Sequence, residues 1–375
     1  YGDIELIWFD TPGNIPQKYA EKLVEVVHRN QPRALVSGRI GYNLGDYQTL
    51  GDMEVPPENI NGLWESVDVT NDAWGYAWYD QNWKSPKQIL KYLISTIARG
   101  GTYMLNIGPD ETGSIPNFVS NTLRTSGKWI ARYPQVIYGA GPSPWKHSLP
   151  RGDIVRQENK LYLAVYKWPA SGKLYLPGLQ TEIASAGICN GNKIQRIKIV
   201  QEGSWTVLQI PFRKPDPIIS VIELVMKGNE ITVDNTQALD PEIGTNELSV
   251  IFAEAKDCHV YKSSWMEKFG EWKHEYCVSN LNRGGKIIWT VDVKSPGTYQ
   301  VELKVRGNGR VVWKVETDEG QMAQNQQSAS SIFCKRPIGW IRFDKPGRHT
   351  ITVSMPEGGE QADMSAISMT PIYFE

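Results

Sequence analysis

A chain of 375 residues with 40 basic and 41 acidic side chains, a net charge of −1 and 40% hydrophobic residues is a folded protein of more than one average domain. Its balanced charge excludes an electrostatic case for nucleic acid or an anionic membrane as partner. No apolar run is long enough to span a bilayer, and the aromatics are skewed to 14 Trp and 17 Tyr against 8 Phe, flat faces with polar edges that suit sugar rings as well as cores.

The first ten residues set the plan. Ile4, Leu6, Ile7, Trp8 and Phe9 form a nearly continuous apolar run, the pattern of a strand buried on both faces of a parallel sheet, and it ends in Asp10. At the C-terminal end of a barrel strand such a carboxylate is a catalytic candidate; the plainer reading makes it the cap of a turn over Thr11–Asn14. A helix follows over about 16–30, with Tyr19, Leu23, Val26 and Val27 at helical spacing, and Pro32 stops it before a short strand over 33–39. Residues 40–62 read as a long functional loop carrying Asp46, Asp52, Glu54 and Glu58. A third strand over 63–70 leads into the aromatic stretch 74–79. Ser85 and Pro86 then open a helix that Gly100 and Gly101 end. A fourth strand over 102–107 and a helix over about 116–133 close the region. Four such units are half of an eight-stranded (β/α)8 barrel.

After about residue 142 the texture becomes all-β. Short strands over 162–168, 173–176, 193–200, 205–210 and 218–225 predict a sandwich, and strands over 286–293, 297–305, 311–315 and 349–354 a second one. The expected organisation is therefore a half-barrel over 1–142, a β-sandwich over 143–227 and another over 228–375. Cys189, Cys258, Cys277 and Cys334 lack zinc-site spacing; three fall in the last third, which leaves room for one disulfide there.

Asp10, the Asp52/Glu54 pair and Glu65 are the carboxylates that stand out. Two carboxyl groups flanking a bond are what glycoside hydrolysis needs, one as nucleophile or base and one as proton donor. A strand end holds Asp10 rigidly, which suits a nucleophile, while a donor must be kept protonated by burial or a like charge.

At this point the sequence resembles α-L-fucosidases of glycoside hydrolase family 29. The resemblance rests on Ile7-Trp-Phe-Asp10, Gly45-Asp-Tyr-Gln-Thr49, Leu63-Trp-Glu65, Trp74-Gly-Tyr76, Met104-Leu-Asn-Ile-Gly-Pro109 with Gly113-Ser-Ile-Pro116, and Val136-Ile-Tyr-Gly139, in the family's order over about residues 1–144. The sandwich that follows is also similar to the family's C-terminal domain. The resemblance implies an exo-α-L-fucosidase acting on terminal fucose of a fucosylated oligosaccharide or glycoconjugate, with Asp10 as nucleophile of a retaining mechanism through a covalent fucosyl-enzyme. For the acid/base the order of choice is Glu54, then Asp52, with Glu65 third or else holding substrate or a loop. Glu54 and Asp52 otherwise read as solvated loop acids. Arg39 matches an arginine that binds the sugar, or pairs with Asp10 or Asp46. Trp64, Trp74 and Trp78 are candidates to pack on the apolar face of fucose, or core residues. No cofactor is implied.

The family brings further strands, with histidines and aromatics, before its nucleophile strand. This sequence has five His, of which His28 alone precedes residue 147 and lies on a helix. The chain starts at Tyr1 inside a strand, so an upstream segment is expected to be cropped or absent. A half-barrel leaves unpaired edges, and it is expected to pair with its own N-terminal half or with a second copy as a homo-oligomer. The alternative function is a non-catalytic or partner-dependent glycan-binding protein derived from such an enzyme. A periplasmic or secreted location is expected.

The last region resembles carbohydrate-binding modules of families 6 and 35, through Ala253-Glu-Ala255, Gly285-Lys-Ile-Ile-Trp289, Pro296-Gly-Thr-Tyr-Gln-Val301 and Gly347-Arg-His-Thr-Ile-Thr-Val353. Such modules often hold a structural calcium; Glu254 and Asp363 are its candidates here, with Lys256 where an acid is often found. Trp265, Trp272 and Trp340 are the aromatics placed to stack on sugar. The other reading is a structural or oligomerisation sandwich.

Overall fold

The computed structural model describes residues 2–10, 15–203, 205–268, 271–356 and 360–373, with the side chains of 267, 268 and 271–273 outside that set. The expected turn over Thr11–Asn14 and the Trp272 side chain therefore lie outside the described residues.

The first region is an open arc of parallel strands. Its elements are β1 (Leu6–Ile7), α1 (Gln17–Asn30), β2 (Leu35–Val36), β3 (Gln48–Asp52), β4 (Trp64–Val69), α2 (Pro86–Ala98), β5 (Thr102–Asn106) and α3 (Asn117–Arg132). Leu6 and Ile7 pair with Leu35 and Val36, Gln48 with Trp64, and Glu65 with Thr102, all in parallel. A parallel bridge between Ser37 and Tyr47 joins the two pieces, so the strand order follows the chain.

β3 is a correction to the loop expected over 40–62. Gly51 breaks its apolar pattern, and its register on β4 shifts between Thr49 and Asp52. The tight return that brings it beside β2 depends on glycines, since a Cβ on Gly45 would sit 2.6 Å from the Gly38 Cα. β1 is also shorter than expected and is not buried on both faces. Leu6 is 39% exposed and Leu35 37%. On α1 the packing face is Ala20, Val24 and Val27, set against Phe9, Val36, Ile40 and Leu44, while Tyr19, Leu23 and Val26 stay exposed. α2 follows its sequence signals closely. The Ser85 side chain accepts from Gln88 N in a full capping box with Pro86 at the first turn.

The middle sheet runs, edge to edge, Gly152–Gln157, Lys160–Val165, Ser220–Met226, Ile183–Asn190, Lys193–Glu202, Trp205–Gln209 and Lys173–Leu176. Two of these were not expected from sequence: Ile183–Asn190 is built of small residues, and Gly152–Gln157 carries charges. Leu90 and Ile94 of α2, Trp129 of α3 and Tyr133 just after it share one buried cluster with Val155, Tyr162, Ala164 and Val221 of this sheet. The Trp129 indole N–H donates to Ile219 O at 2.9 Å.

Two six-stranded sheets form the last region. One orders Gln237–Leu239, Lys286–Val293, Gly347–Ser354, Arg310–Thr317 and Met322–Ser328, with Glu254–Lys256 also paired to Lys286–Val293. The other orders His259–Lys268, Glu271–Ser279, Ala362–Ile372, Gly297–Gly307 and Cys334–Phe343, with Asn246–Ser249 paired to Ala362–Ile372. Trp289, Trp313, Tyr299 and Phe343 anchor the core between them. The strand Glu271–Ser279 lies against β3, which brings this region onto the barrel arc.

All four cysteines are unpaired. No helix among the described residues is long and apolar enough to cross a membrane. The calcium candidates are not gathered into a site. Glu254 pairs with Lys256 at 3.4 Å, Asp363 accepts from Tyr261 and Arg306, and no group of three or more His, Cys, Asp or Glu among the described residues could hold a metal.

Candidate active site

β1 to β5 all point the same way, so the residues at their C-terminal ends converge on one edge of the arc. Asp10 lies three residues beyond β1, and Phe9 before it is pinned to β2: Ser37 Oγ accepts from Phe9 N at 2.9 Å and donates to Phe9 O at 3.2 Å. Just after β2, Arg39 enters a short 3-10 turn (Gly38–Ile40). Its guanidinium takes Asp10 Oδ1 on Nη1 at 3.1 Å and Asp52 Oδ1 on Nη2. Asp52, the last residue of β3, is buried, while the Asp10 side chain is 50% exposed. One cation from the second strand thus holds carboxylates from the ends of the first and third. The face of Arg39 lies over the Trp8 ring at 5.0 Å.

Glu65 occupies the inner layer. It is buried at the start of β4 and accepts from Trp8 Nε1 at 2.5 Å, Thr49 Oγ1 at 2.8 Å and Tyr47 OH at 3.3 Å. Burial, with Glu65 beside it, pushes the Tyr47 hydroxyl far above its ordinary range, so it remains a neutral donor. Three donors satisfy a buried carboxylate, and Glu65 ties β1, β3 and β4 together beneath the rim.

The sequence-based choices sort as follows. Arg39 pairs with Asp10, and not with Asp46, which instead accepts from Val36 N at 2.7 Å and meets His28 at 3.0 Å. Asp52, the second choice for the proton donor, shares the guanidinium with Asp10. Glu54, the first choice, follows the bend at Met53 (φ 52°) and faces the last region, its Oε2 3.3 Å from His274 Nδ1. Neither Asp52 nor Glu54 is a solvated loop acid. Trp64 is corrected to a core residue. It is 2% exposed, its indole N–H donates to Arg99 O at 3.3 Å, and its ring lies where a Cβ on Gly101 would sit 2.4 Å away. Trp74 and Trp78 lie on the loop after β4, which Asp80 braces by accepting from Asn71 Nδ2, Asp72 N and Ala73 N at 2.8–2.9 Å. Asn106 at the end of β5 donates to Trp74 O at 2.6 Å. Trp78 is 76% exposed and makes an edge contact with Tyr79. Trp8, Tyr47 and Thr49 escaped the sequence reading as individual residues, although two of the family-like words contain them.

Parallel strands here converge two carboxylates on one arginine, and the proteins this chain is similar to are glycoside hydrolases. Residues 1–135 match the family model described as alpha-L-fucosidase. The chain is 27% identical over 195 residues to plasma alpha-L-fucosidase of Rattus norvegicus, an alignment covering 46% of this chain and 41% of the rat enzyme. It therefore spans less than half the length of the curated relatives it matches. The alpha-L-fucosidase from Vibrio sp. strain EJY3 superposes with a TM-score of 0.72 at 21% identity over 99% of this chain and 67% of that one. A GH29 alpha-L-fucosidase from Bacteroides thetaiotaomicron, described as a trapped covalent intermediate with 2-fluoro-fucosyl fluoride, superposes with a TM-score of 0.53 at 18% identity over 60% of this chain and 57% of that one.

Proposed function

We propose that this chain carries the nucleophile-bearing half of a retaining exo-α-L-fucosidase (β/α)8 barrel, with the β-sandwich over 143–227 and the module-like sandwich over 228–375 attached. The observation that carries the reading is the shared guanidinium, which holds Asp10 and Asp52 side by side at the strand ends. Retaining glycosidases use two carboxyl groups that flank the scissile bond, and Asp10 and Asp52 are the two that Arg39 holds at the strand ends. Asp10, ionised and half exposed, attacks the anomeric carbon, while Asp52 hands a proton to the departing oxygen. In the second half-reaction Asp52, a carboxylate once its proton has gone to the leaving oxygen, takes a proton from the water that attacks the fucosyl-enzyme. The trapped intermediate of the Bacteroides relative supports a covalent course. Glu65 positions the rim through Trp8 and Thr49, and Trp74 and Trp78 are the remaining aromatic candidates against fucose.

Exposed Ile4, Leu6 and Leu35 on the first strands, with Tyr19, Leu23 and Val26 on α1, support completion of the barrel by an N-terminal half or a second copy. The same exposed face favours the second reading, fucose binding that depends on such a partner for turnover. Release of 4-nitrophenol from its α-L-fucoside by wild type and Asp10→Ala tests the first reading, and equal rates would remove Asp10 from the mechanism. A comparison of Asp52→Asn with Glu54→Gln assigns the proton donor. The variant that loses natural substrates yet keeps a dinitrophenyl fucoside, whose leaving group needs no proton, identifies it.

A further inference from the structure

Between the turn that ends β3 and the outer face of the sheet containing Glu271–Ser279 lies a cleft of about 580 Å³, within the usual size range for ligand sites. Met53, Glu54 and Pro57 form one wall, and Trp265, His274 and Phe333 stand on the other. We propose that this cleft binds the aglycone, the neutral saccharide from which fucose is released, so that the last region serves as part of the active site. The inference rests on the fucosidase reading above.

Three observations point to a sugar. First, Trp265 and Phe333 pack with centroids 5.8 Å apart, and Arg306 covers Phe333 at 4.7 Å, which steadies an apolar platform at the cleft wall. Second, Glu54 Oε2 and His274 Nδ1 face each other across the cleft at 3.3 Å, with no further hydrogen-bond partner for either atom among the described residues. A sugar hydroxyl, which both donates and accepts, suits such an acid–imidazole pair. Third, Glu54 follows Asp52 by two positions, with Met53 between them. At no more than about 3.6 Å per residue, the cleft wall starts within about 7 Å of the proposed proton donor, measured along the backbone. The charges on the far wall are already matched, Lys304 meeting Glu275 at 2.7 Å, which favours a neutral ligand over an anionic one.

The test uses the full chain with lactose as binding probe, and 4-nitrophenyl α-L-fucoside and 2′-fucosyllactose as substrates. Lactose is expected to bind wild type, and Trp265→Ala and Phe333→Ala each to weaken it about 10-fold. KM for 2′-fucosyllactose should rise by a similar factor, and by clearly more than KM for the aryl fucoside, whose small aglycone reaches less of the cleft. Lactose binding that is absent from wild type, or equal in wild type and both variants, overturns the proposal, as does an equal loss on both substrates. Should neither substrate turn over, the hydrolase reading fails separately, and lactose binding still decides whether the cleft holds a saccharide.

Discussion

Among the arginines that pair with carboxylates from other elements, Arg99, Arg39 and Arg348 differ in what surrounds the acids. Arg99, at the end of α2, is buried against Asp153 at 3.1 Å, and Asp153 also accepts from Ser95 at 2.5 Å, Ser148 at 2.7 Å and Tyr166 at 3.1 Å. Every acceptor site there is taken, and the cluster fastens the arc to the middle sheet. Arg39 holds a buried Asp52 on one arm and a half-exposed Asp10 on the other, so one carboxylate oriented by a full charge still faces solvent. Arg348 lies on the surface between Asp234 at 2.7 Å and Asp292 at 3.1 Å. Like chemistry serves as rivet, as the half-open cradle proposed for catalysis and as surface tie, and the degree of closure sets the difference.

That contrast is broken most severely at Asp10. Asp10→Ala should lower kcat on an aryl α-L-fucoside by on the order of 10⁴-fold or more with an unchanged melting temperature, as loss of a nucleophile does. Asp153→Ala should do the reverse. Leaving the Arg99 charge buried without its partner costs about 3–5 kcal/mol, read as a lower urea midpoint, with kcat per folded molecule preserved. Arg39→Met should lower kcat by about 10²–10³-fold, because it removes the charge that orients both aspartates; a purely structural arginine would instead show in stability with kcat intact.

The surface tie should give the smallest effect. Hydrogen bonds from Thr236 and then Arg348 hold the Asp234 carboxyl down at about 2, below its ordinary 3.8. Its folded value lies under its unfolded one, so its contribution is complete above about pH 4 and fades as pH falls towards 2. Discounted for solvent screening, Asp234→Asn should cost about 1–2 kcal/mol near neutrality. Thermal unfolding of wild type and variant should converge between pH 4 and pH 2, and a constant gap would contradict this assignment.

Local signals were legible in the sequence wherever one residue type has one physical use. Ser85, Pro86 and the Gly100–Gly101 stop framed α2, and Asp10 stood out because an apolar run ended in a charge. The register of β3 was not legible, because Gly51 interrupts it and its neighbour β2 is reached only through the close approach of Gly45 to Gly38. Without β3, the acids Asp52 and Glu54 had no assigned directions. Trp64 read as a sugar platform because an aromatic beside a glutamate looks alike in a core and at a rim; burial under Arg99 and Gly101 is a property of tertiary packing. The pairing of Glu65 with Trp8, Tyr47 and Thr49 joins three strands, and no local pattern encodes it.

The central claim is that Asp10 forms the bond to fucose. Incubation with 2-fluoro-fucosyl fluoride followed by intact mass and peptide mapping tests it directly. The account predicts one added fluorofucosyl group per active site, located on the peptide containing Asp10 and absent from Asp10→Ala. A label on Asp52, Glu54 or Glu65, or a label that persists in Asp10→Ala, would contradict it.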